Sequence, residues 1–345
     1  MTWSLLLGRP QLAPGIRKAL RSHAILEVMV DVFAGPRVLD GIAIAGEIKA
    51  EVAEAVKKMG ADGHRPGLAV VLVGENPASQ IYVRSKVRTC GELGIYSELH
   101  TPPASVTTEG LLTLVADLNA RDEIDGILIQ LPLPAHVDTN RLLEAVDPRK
   151  DVDGFHPVNG GRLLHGAPLA ELLAPCTPVG ILEILQRSGI PLLGKRAVVV
   201  GRSNIVGKPM GVLLINEGAT VTVCHRHTVD LARYTREAEI LIVAIGRAGY
   251  ITADMIQPGA TVIDVGINRL TGEAEIEQFF PPDTPEYANR IEGFRKRGST
   301  VIGDIDPRAF ALCGAYTPVP GGVGALTIAV LMANTVKAAR FRRGL

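Results

Sequence analysis

Short apolar runs alternate along this chain with amphipathic stretches. Leu68-Ala69-Val70-Val71-Leu72-Val73, Gly126-Ile127-Leu128-Ile129-Gln130, Ala197-Val198-Val199-Val200, Ile240–Ala244 and Thr261–Asp264 read as buried strands. Near-continuous apolar strands of this kind belong to parallel sheets covered on both faces. Between them, Ile44, Ile48, Val52 and Val56 recur every four residues, which predicts an amphipathic helix. Further helices are predicted from about Ala78 to Leu93, closed by Gly94, and from a Thr108 cap to about Asn119. Others run from about Pro178 to Gln186, over Pro209–Ile215 with proline near the first turn, and from Ala325 to Phe341. Tyr96–His100 and Thr220–Val223 add shorter strands. Strands that alternate with helices build βαβ units, so the chain is expected to be α/β with parallel sheets. The expected division is a first α/β domain over 36–177, a Rossmann-like domain over 178–320 and a helix over 321–345 returning to the first, with a cleft between the two. Residues 147–178, rich in Asp, Pro, Gly and His, read as loop. Residues 271–299, polar and containing Pro281-Pro282, read as a surface insertion.

A length of 345 residues suits two domains, and 47% apolar residues can fill two cores. Lys+Arg and Asp+Glu balance at 36 each, so net charge offers no argument for nucleic acid or an anionic membrane as partner. No apolar run is expected to reach the length of a membrane span. Cys90, Cys176, Cys224 and Cys313 lie scattered without C-x-x-C spacing. That pattern favours a reducing, cytoplasmic setting and neither a metal site nor a disulfide framework. Residues 1 to about 35 read as an extension: Arg9, Arg17, Lys18 and Arg21 precede the first acid, Glu27. Its charge is that of a transit peptide but its serine content is low, and Met29 is an alternative start.

The strand at Ala197–Val200 runs into Gly201-Arg202-Ser203-Asn204-Ile205-Val206-Gly207-Lys208-Pro209, and a helix follows. Strand, glycine-bearing turn and helix is the layout that cradles a phosphate at a helix N-terminus, here with Gly-x-x-x-x-x-Gly spacing. The end of the next strand, where an NAD site places a carboxylate for the ribose hydroxyl, carries Cys224-His225-Arg226-His227 instead. Arg202 and Arg226 could flank a 2′-phosphate, which favours NADP over NAD; the bland alternative is a tight turn with solvated arginines. Tyr82 and Lys86, at i and i+4, share one helix face beyond a strand's carboxyl end. They read as a proton-moving lysine beside a ligand-stacking tyrosine, or as a solvated lysine beside a packed one. Gln130 ends a strand before Leu131-Pro132 and reads as a hydrogen-bonding group or a simple strand stop. Asp151 and Asp153 read as metal ligands, which no further ligand spacing supports, or as part of a capped loop, and the nearby His156 is assigned no role as a base. Thr317-Pro318-Val319-Pro320-Gly321-Gly322-Val323-Gly324 reads as backbone laid close to a ligand, or as an irregular helix entry.

From about Val38 to Phe341 these segments together resemble the bifunctional methylenetetrahydrofolate dehydrogenase/methenyltetrahydrofolate cyclohydrolase family. The resemblance rests on Val73-Gly74-Glu75-Asn76-Pro77-Ala78-Ser79, Tyr82-Val83-Arg84-Ser85-Lys86, Gln130-Leu131-Pro132-Leu133-Pro134, Lys150-Asp151-Val152-Asp153-Gly154, Gly201-Arg202-Ser203 and Pro318–Gly324, in that order. It implies oxidation of 5,10-methylenetetrahydrofolate by NADP+, then hydrolysis to 10-formyltetrahydrofolate, in a homodimer joined through the cofactor domains. Lys86 is implied as the main cyclohydrolase residue, Gln130 as its tuning partner, Tyr82 as the folate stack and Asp153 as the pterin anchor. Gly201, Arg202, Ser203, Gly207, Arg226 and Ile267 are implied at the cofactor. Leu131, Pro318, Gly321 and Gly322, with the four catalytic residues, are implied at the folate. Two positions depart from the family pattern: Ala325 stands where proline is usual, and Arg226 where serine is frequent. Intact Lys86, Gln130 and Asp153 argue against a dehydrogenase lacking the hydrolytic step and against a silent NADP- or folate-binding module.

Overall fold

The computed structural model describes residues 35–345; the extension, with its basic residues and Met29, lies outside the described residues up to residue 34. In chain order come β1 (Arg37–Val38), α1 (Gly41–Ala61), β2 (Gly67–Val71), α2 (Pro77–Leu93), β3 (Tyr96–His100), α3 (Thr108–Ala120), β4 (Gly126–Ile129), α4 (Thr139–Ala145) and α5 (Pro157–Leu164). α6 (Cys176–Arg187) leads into β5 (Arg196–Val200), α7 (Gly207–Asn216), β6 (Thr220–Cys224), α8 (Leu231–Thr235), β7 (Ile240–Val243) and β8 (Thr261–Asp264). Then follow β9 (Asn268–Leu270), α9 (Glu273–Phe279), α10 (Pro285–Arg297), β10 (Thr300–Ile302), β11 (Ala315–Tyr316) and α11 (Val323–Arg343).

Two parallel sheets organise these elements, one of three strands in the order β3-β2-β4 and one of six in the order β1-β11-β8-β7-β5-β6. β2, β4, β7 and β8 are buried at every residue, as helices on both faces of a parallel sheet require. β9 and β10 form a separate antiparallel pair. α1 starts where the Asp40 carboxylate accepts from the Ile42 and Ala43 amides, at 2.9 and 3.0 Å. Its Ile44, Ile48, Val52 and Val56 stripe is buried against the core.

Five expectations change. The cap of α3 is Thr107, whose hydroxyl accepts from the Gly110 amide at 3.1 Å; Thr108 is already helical. Arg37–Val38 pairs with Ala315–Tyr316 in the larger sheet, so this stretch does not belong to the smaller unit. The stretch 147–178 contains α5, despite Gly160 and Gly161; the His156 ring caps it, Pro157 begins it, and Asn159 and Leu163 are buried. The insertion 271–299 is a pair of helices, α9 and α10, with a core of its own formed by Ile276, Phe279, Phe280, Ile291 and Ile302. Finally, α11 is long and apolar enough to cross a membrane, yet 61% of its most apolar stretch is buried inside the protein, against α1 and α6 among others. It is packed as a core helix.

Candidate functional site

Lys86 stands one turn beyond Tyr82 on α2, and Gln130 follows the last residue of β4. The buried Lys86 ammonium donates to Gln130 Oε1 at 3.0 Å. The Gln130 Nε2 donates to the Leu131 carbonyl at 2.7 Å. That second bond fixes the carboxamide so that its acceptor oxygen faces the lysine. Leu131 thus acts through its backbone. Tyr82 is 39% exposed, and burial of its ring edge raises the phenol above its ordinary range, with the Arg269 charge opposing.

Asp153 follows a loop braced from two sides. The buried Asp151 carboxylate accepts from the Phe155 and His156 amides and from Asn159 Nδ2, which makes it a loop brace rather than a ligand. From α11, Asn334 Nδ2 donates to the Val152 and Ala174 carbonyls at 2.9 and 3.0 Å. Burial pushes the Asp153 carboxyl up from its ordinary range, with the Lys86 charge pulling it down and Asp151 pushing it further up. Lys86, Gln130 and Asp153 therefore form one polar cluster, with Asp153 outside the cavity lining itself.

A cavity of about 250 Å³ opens on Tyr82, Lys86, Gln130, Thr177, Ile267 and Thr327. It shares Tyr82, Ile267, Val323 and Gly324 with a second cavity of about 290 Å³, which is lined by Pro318, Gly321 and Gly322. The glycine-rich turn is thus backbone against a cavity. Gly322 packs where a Cβ would meet the Pro318 carbonyl and Thr317.

A third cavity, of about 410 Å³, lies at the carboxyl ends of β5, β6 and β7. Gly201, Arg202, His225, Arg226, Arg247 and Tyr250 line it, with no carboxylate among its lining residues. Gly201 has φ of +130°, and a Cβ there would strike the Ala244 carbonyl. A Cβ on Gly207 would strike the Gly201 carbonyl, so the two glycines six positions apart let the loop close on itself. The Ser203 hydroxyl accepts from the Val206 and Gly207 amides at 3.2 and 3.3 Å and caps the start of α7. Arg202 and Arg226 meet at this cavity; Ser203 and Gly207 shape the loop from outside the lining. Ile267 does not join them and lies on the wall shared by the two cavities beside Tyr82.

Two buried aspartates escaped sequence reasoning. Asp304 accepts from the Ile245, Gly246 and Arg247 amides at 2.6, 2.9 and 2.8 Å and from Asn268 Nδ2 at 2.9 Å. It pins the turn after β7 at the rim of the third cavity. Asp264 accepts from the Gly266, Asp304 and Ile305 amides at 3.0, 2.9 and 3.0 Å, and burial raises its carboxyl to about 7. Gly266 and Gly303 leave no room for a side chain beside these carboxylates, the one visible trace of the arrangement in the sequence.

Family models match on both sides of the crossing between the units. The tetrahydrofolate dehydrogenase/cyclohydrolase catalytic domain matches residues 39–153, and the NAD(P)-binding domain of the same description matches 175–343. A protein of Koribacter versatilis called bifunctional protein FolD is 59% identical over 307 residues, 89% of this chain and 98% of its own. The solved bifunctional FolD of Campylobacter jejuni superposes with a TM-score of 0.79 at 43% identity, over 88% of this chain and 99% of that one. The methylenetetrahydrofolate dehydrogenase-cyclohydrolase of Trypanosoma brucei, solved with NADP and an inhibitor, gives 0.80 at 34% identity, over 91% and 100%.

Proposed function

The chain belongs to the tetrahydrofolate dehydrogenase/cyclohydrolase family, and from that premise we infer that it oxidises 5,10-methylenetetrahydrofolate to 5,10-methenyltetrahydrofolate with NADP+ and then hydrolyses the product to 10-formyltetrahydrofolate. The observation that carries the reading is the buried Lys86–Gln130 pair opening on a cavity that continues to the glycine-rich turn. When bound, NADP+ supplies the hydride acceptor. The third cavity fits it: Gly201 gives a side-chain-free approach, and Arg202 and Arg226 offer guanidiniums to a 2′-phosphate without a competing carboxylate.

The protein's part in oxidation is to hold and align. Tyr82 offers a face for the aromatic part of the folate, and Pro318, Gly321 and Gly322 offer backbone. Asp153 is suited to the donor-rich edge of the pterin. Hydration needs more: water adds to the cationic methenyl carbon and loses one proton, and the remaining hydroxyl proton ends on the ring nitrogen as its carbon–nitrogen bond breaks and the formyl C=O forms. Lys86 is the group placed to carry a proton from that oxygen to the ring nitrogen, and Gln130 keeps its Nζ aimed. The product feeds one-carbon units to purine biosynthesis. A homodimer through the cofactor domains is supported by β6, an edge strand with Val223 exposed, beside the protruding Val229. Four free thiols support a cytoplasmic setting.

Lys86→Met tests the reading. Hydration is expected to fall at least about 100-fold while methenyl formation, followed by absorbance with NADP+, stays measurable. Full hydration in that variant removes Lys86 from the mechanism.

A further inference from the structure

The helical insertion 271–299 is fastened to the substrate site. Arg290 on α10 donates to the Val301 carbonyl at 2.8 Å and, through its other terminal nitrogen, to the Val319 carbonyl of the glycine-rich turn at 2.9 Å. Its ring-facing plane lies over Phe280, and its Nε pairs with Glu286 at 2.6 Å. A helix pair that only covered the sheet would need no such anchor.

Between insertion and turn lies a cavity of about 830 Å³, far larger than its neighbours. It shares Val301, Pro318 and Pro320 with the cavity that holds Tyr82, and that one shares Tyr82 and Ile267 with the cavity at Lys86. The three run in sequence from the reacting end outward. Charge along this path changes. Glu286, the carboxylate in the outer lining, is already paired with Arg290. Arg269 and Arg297 also line it, and neither guanidinium has an ion-pair or hydrogen-bond partner among the described residues. Arg269 is close enough to Tyr82 to act on its phenol electrostatically. Ser299 and Thr300 supply hydroxyls at the same wall.

We propose that this outer chamber is a carboxylate-binding subsite for the glutamyl tail of the folate substrate, with Arg269 and Arg297 as its charged ligands. The proposal rests on the folate reading above. A tetrahydrofolate anchored at Lys86 and stacked at Tyr82 projects its far end along this path. That end carries carboxylates, one more for every γ-linked glutamate added. Open-ended space with unpaired guanidiniums accommodates a tail of variable length, since Arg pairs with a carboxylate in a two-pronged fork at any point along it. The subsite sets how tightly long-tailed substrate is held and has no part in the chemical steps.

The test compares the monoglutamate and triglutamate forms of 5,10-methylenetetrahydrofolate in the wild type, Arg297→Ala and the Arg269→Ala/Arg297→Ala double variant. In the wild type, KM for the triglutamate should be at least about tenfold the lower, and the advantage should shrink as salt is raised. The single variant should lose part of that ratio and the double variant nearly all, with kcat for either form held within about twofold. Arg297→Lys should recover part of the preference, which a merely structural role would not predict. Unchanged KM for NADP+ and an unchanged melting temperature exclude a folding defect. A wild type that turns over both forms with equal KM, or a double variant that keeps the preference, overturns the subsite and leaves the folate reading standing. A wild type inactive on both forms overturns the folate reading, and the subsite with it.

Discussion

Asp304→Asn tests whether a residue remote from the reacting atoms shapes the cofactor cavity. The carboxylate of Asp304 is fully buried and accepts from four donors: three backbone amides and the Asn268 side chain. Oδ2 serves Ile245 and Gly246, while Oδ1 serves Arg247 and Asn268. Asparagine has the same shape but only one acceptor oxygen. Whichever way its amide is turned, the NH2 group faces two donors that lose their acceptor. Hydrogen bonds to a charged group contribute about 1.5–3 kcal/mol each, so two lost bonds amount to about 3–6 kcal/mol. Part of this strain is relieved by letting the turn move. Ile245 and Arg247 line the cavity that Arg202 and Arg226 share, so a loosened turn weakens cofactor binding. The expected outcome is an unfolding free energy lowered by about 3 kcal/mol and a KM for NADP+ raised about tenfold or more, with Lys86-dependent hydration of added methenyltetrahydrofolate changed far less. Urea unfolding and initial-rate kinetics measure both. A variant with wild-type stability and wild-type KM for NADP+ refutes the reasoning.

Two further outcomes follow from the same region. Arg202→Ala should raise KM for NADP+ well above its effect on NAD+, about tenfold for one lost charge-assisted contact; equal effects on the two cofactors remove the 2′-phosphate argument. Burial lifts the Asp264 carboxyl to about 7, so the folded protein keeps a proton that the unfolded chain loses near 4. The stability this confers is complete below about pH 4 and is lost as pH rises through about 7, so unfolding free energy should decline by about 3 kcal/mol between pH 5 and pH 8. Asp264→Asn should flatten that decline, and equal slopes in the two proteins contradict it.

Much of this architecture is local and therefore visible in one dimension. The apolar runs became β2, β4, β5, β7 and β8, and the four-residue stripe of α1 became its buried face. The Tyr82–Lys86 spacing put those two on one helix face and Gln130 read as the end of a strand, but that Gln130 partners Lys86 was implied only by the family resemblance. Asp264 and Asp304 were not legible, because their partners are backbone amides about 40 to 60 positions away and in the sequence they read as ordinary turn acids. α5 was hidden by two glycines, whose cost is offset by burial and by the His156 cap. The insertion did carry its signal: Thr284 before Pro285, Gly298 at the far end, and Ile276, Phe280, Ile291 and Phe294 at helical spacing. A polar average over the segment concealed it.

The pairing of β1 with β11 has a bearing on how the enzyme comes into being. The three-stranded unit joins segments no more than about sixty positions apart, and β5, β6, β7 and β8 are likewise near neighbours in the chain. Such pieces close short loops and can form early. β1 and β11 are separated by nearly the whole described chain, and α11 spans from the Tyr82 cavity to the loop that presents Asp153. These contacts carry the largest loop-closure cost and close last. The two sheets can therefore exist as folded halves before there is a pocket between them, and competence for folate is gained in the final step of assembly.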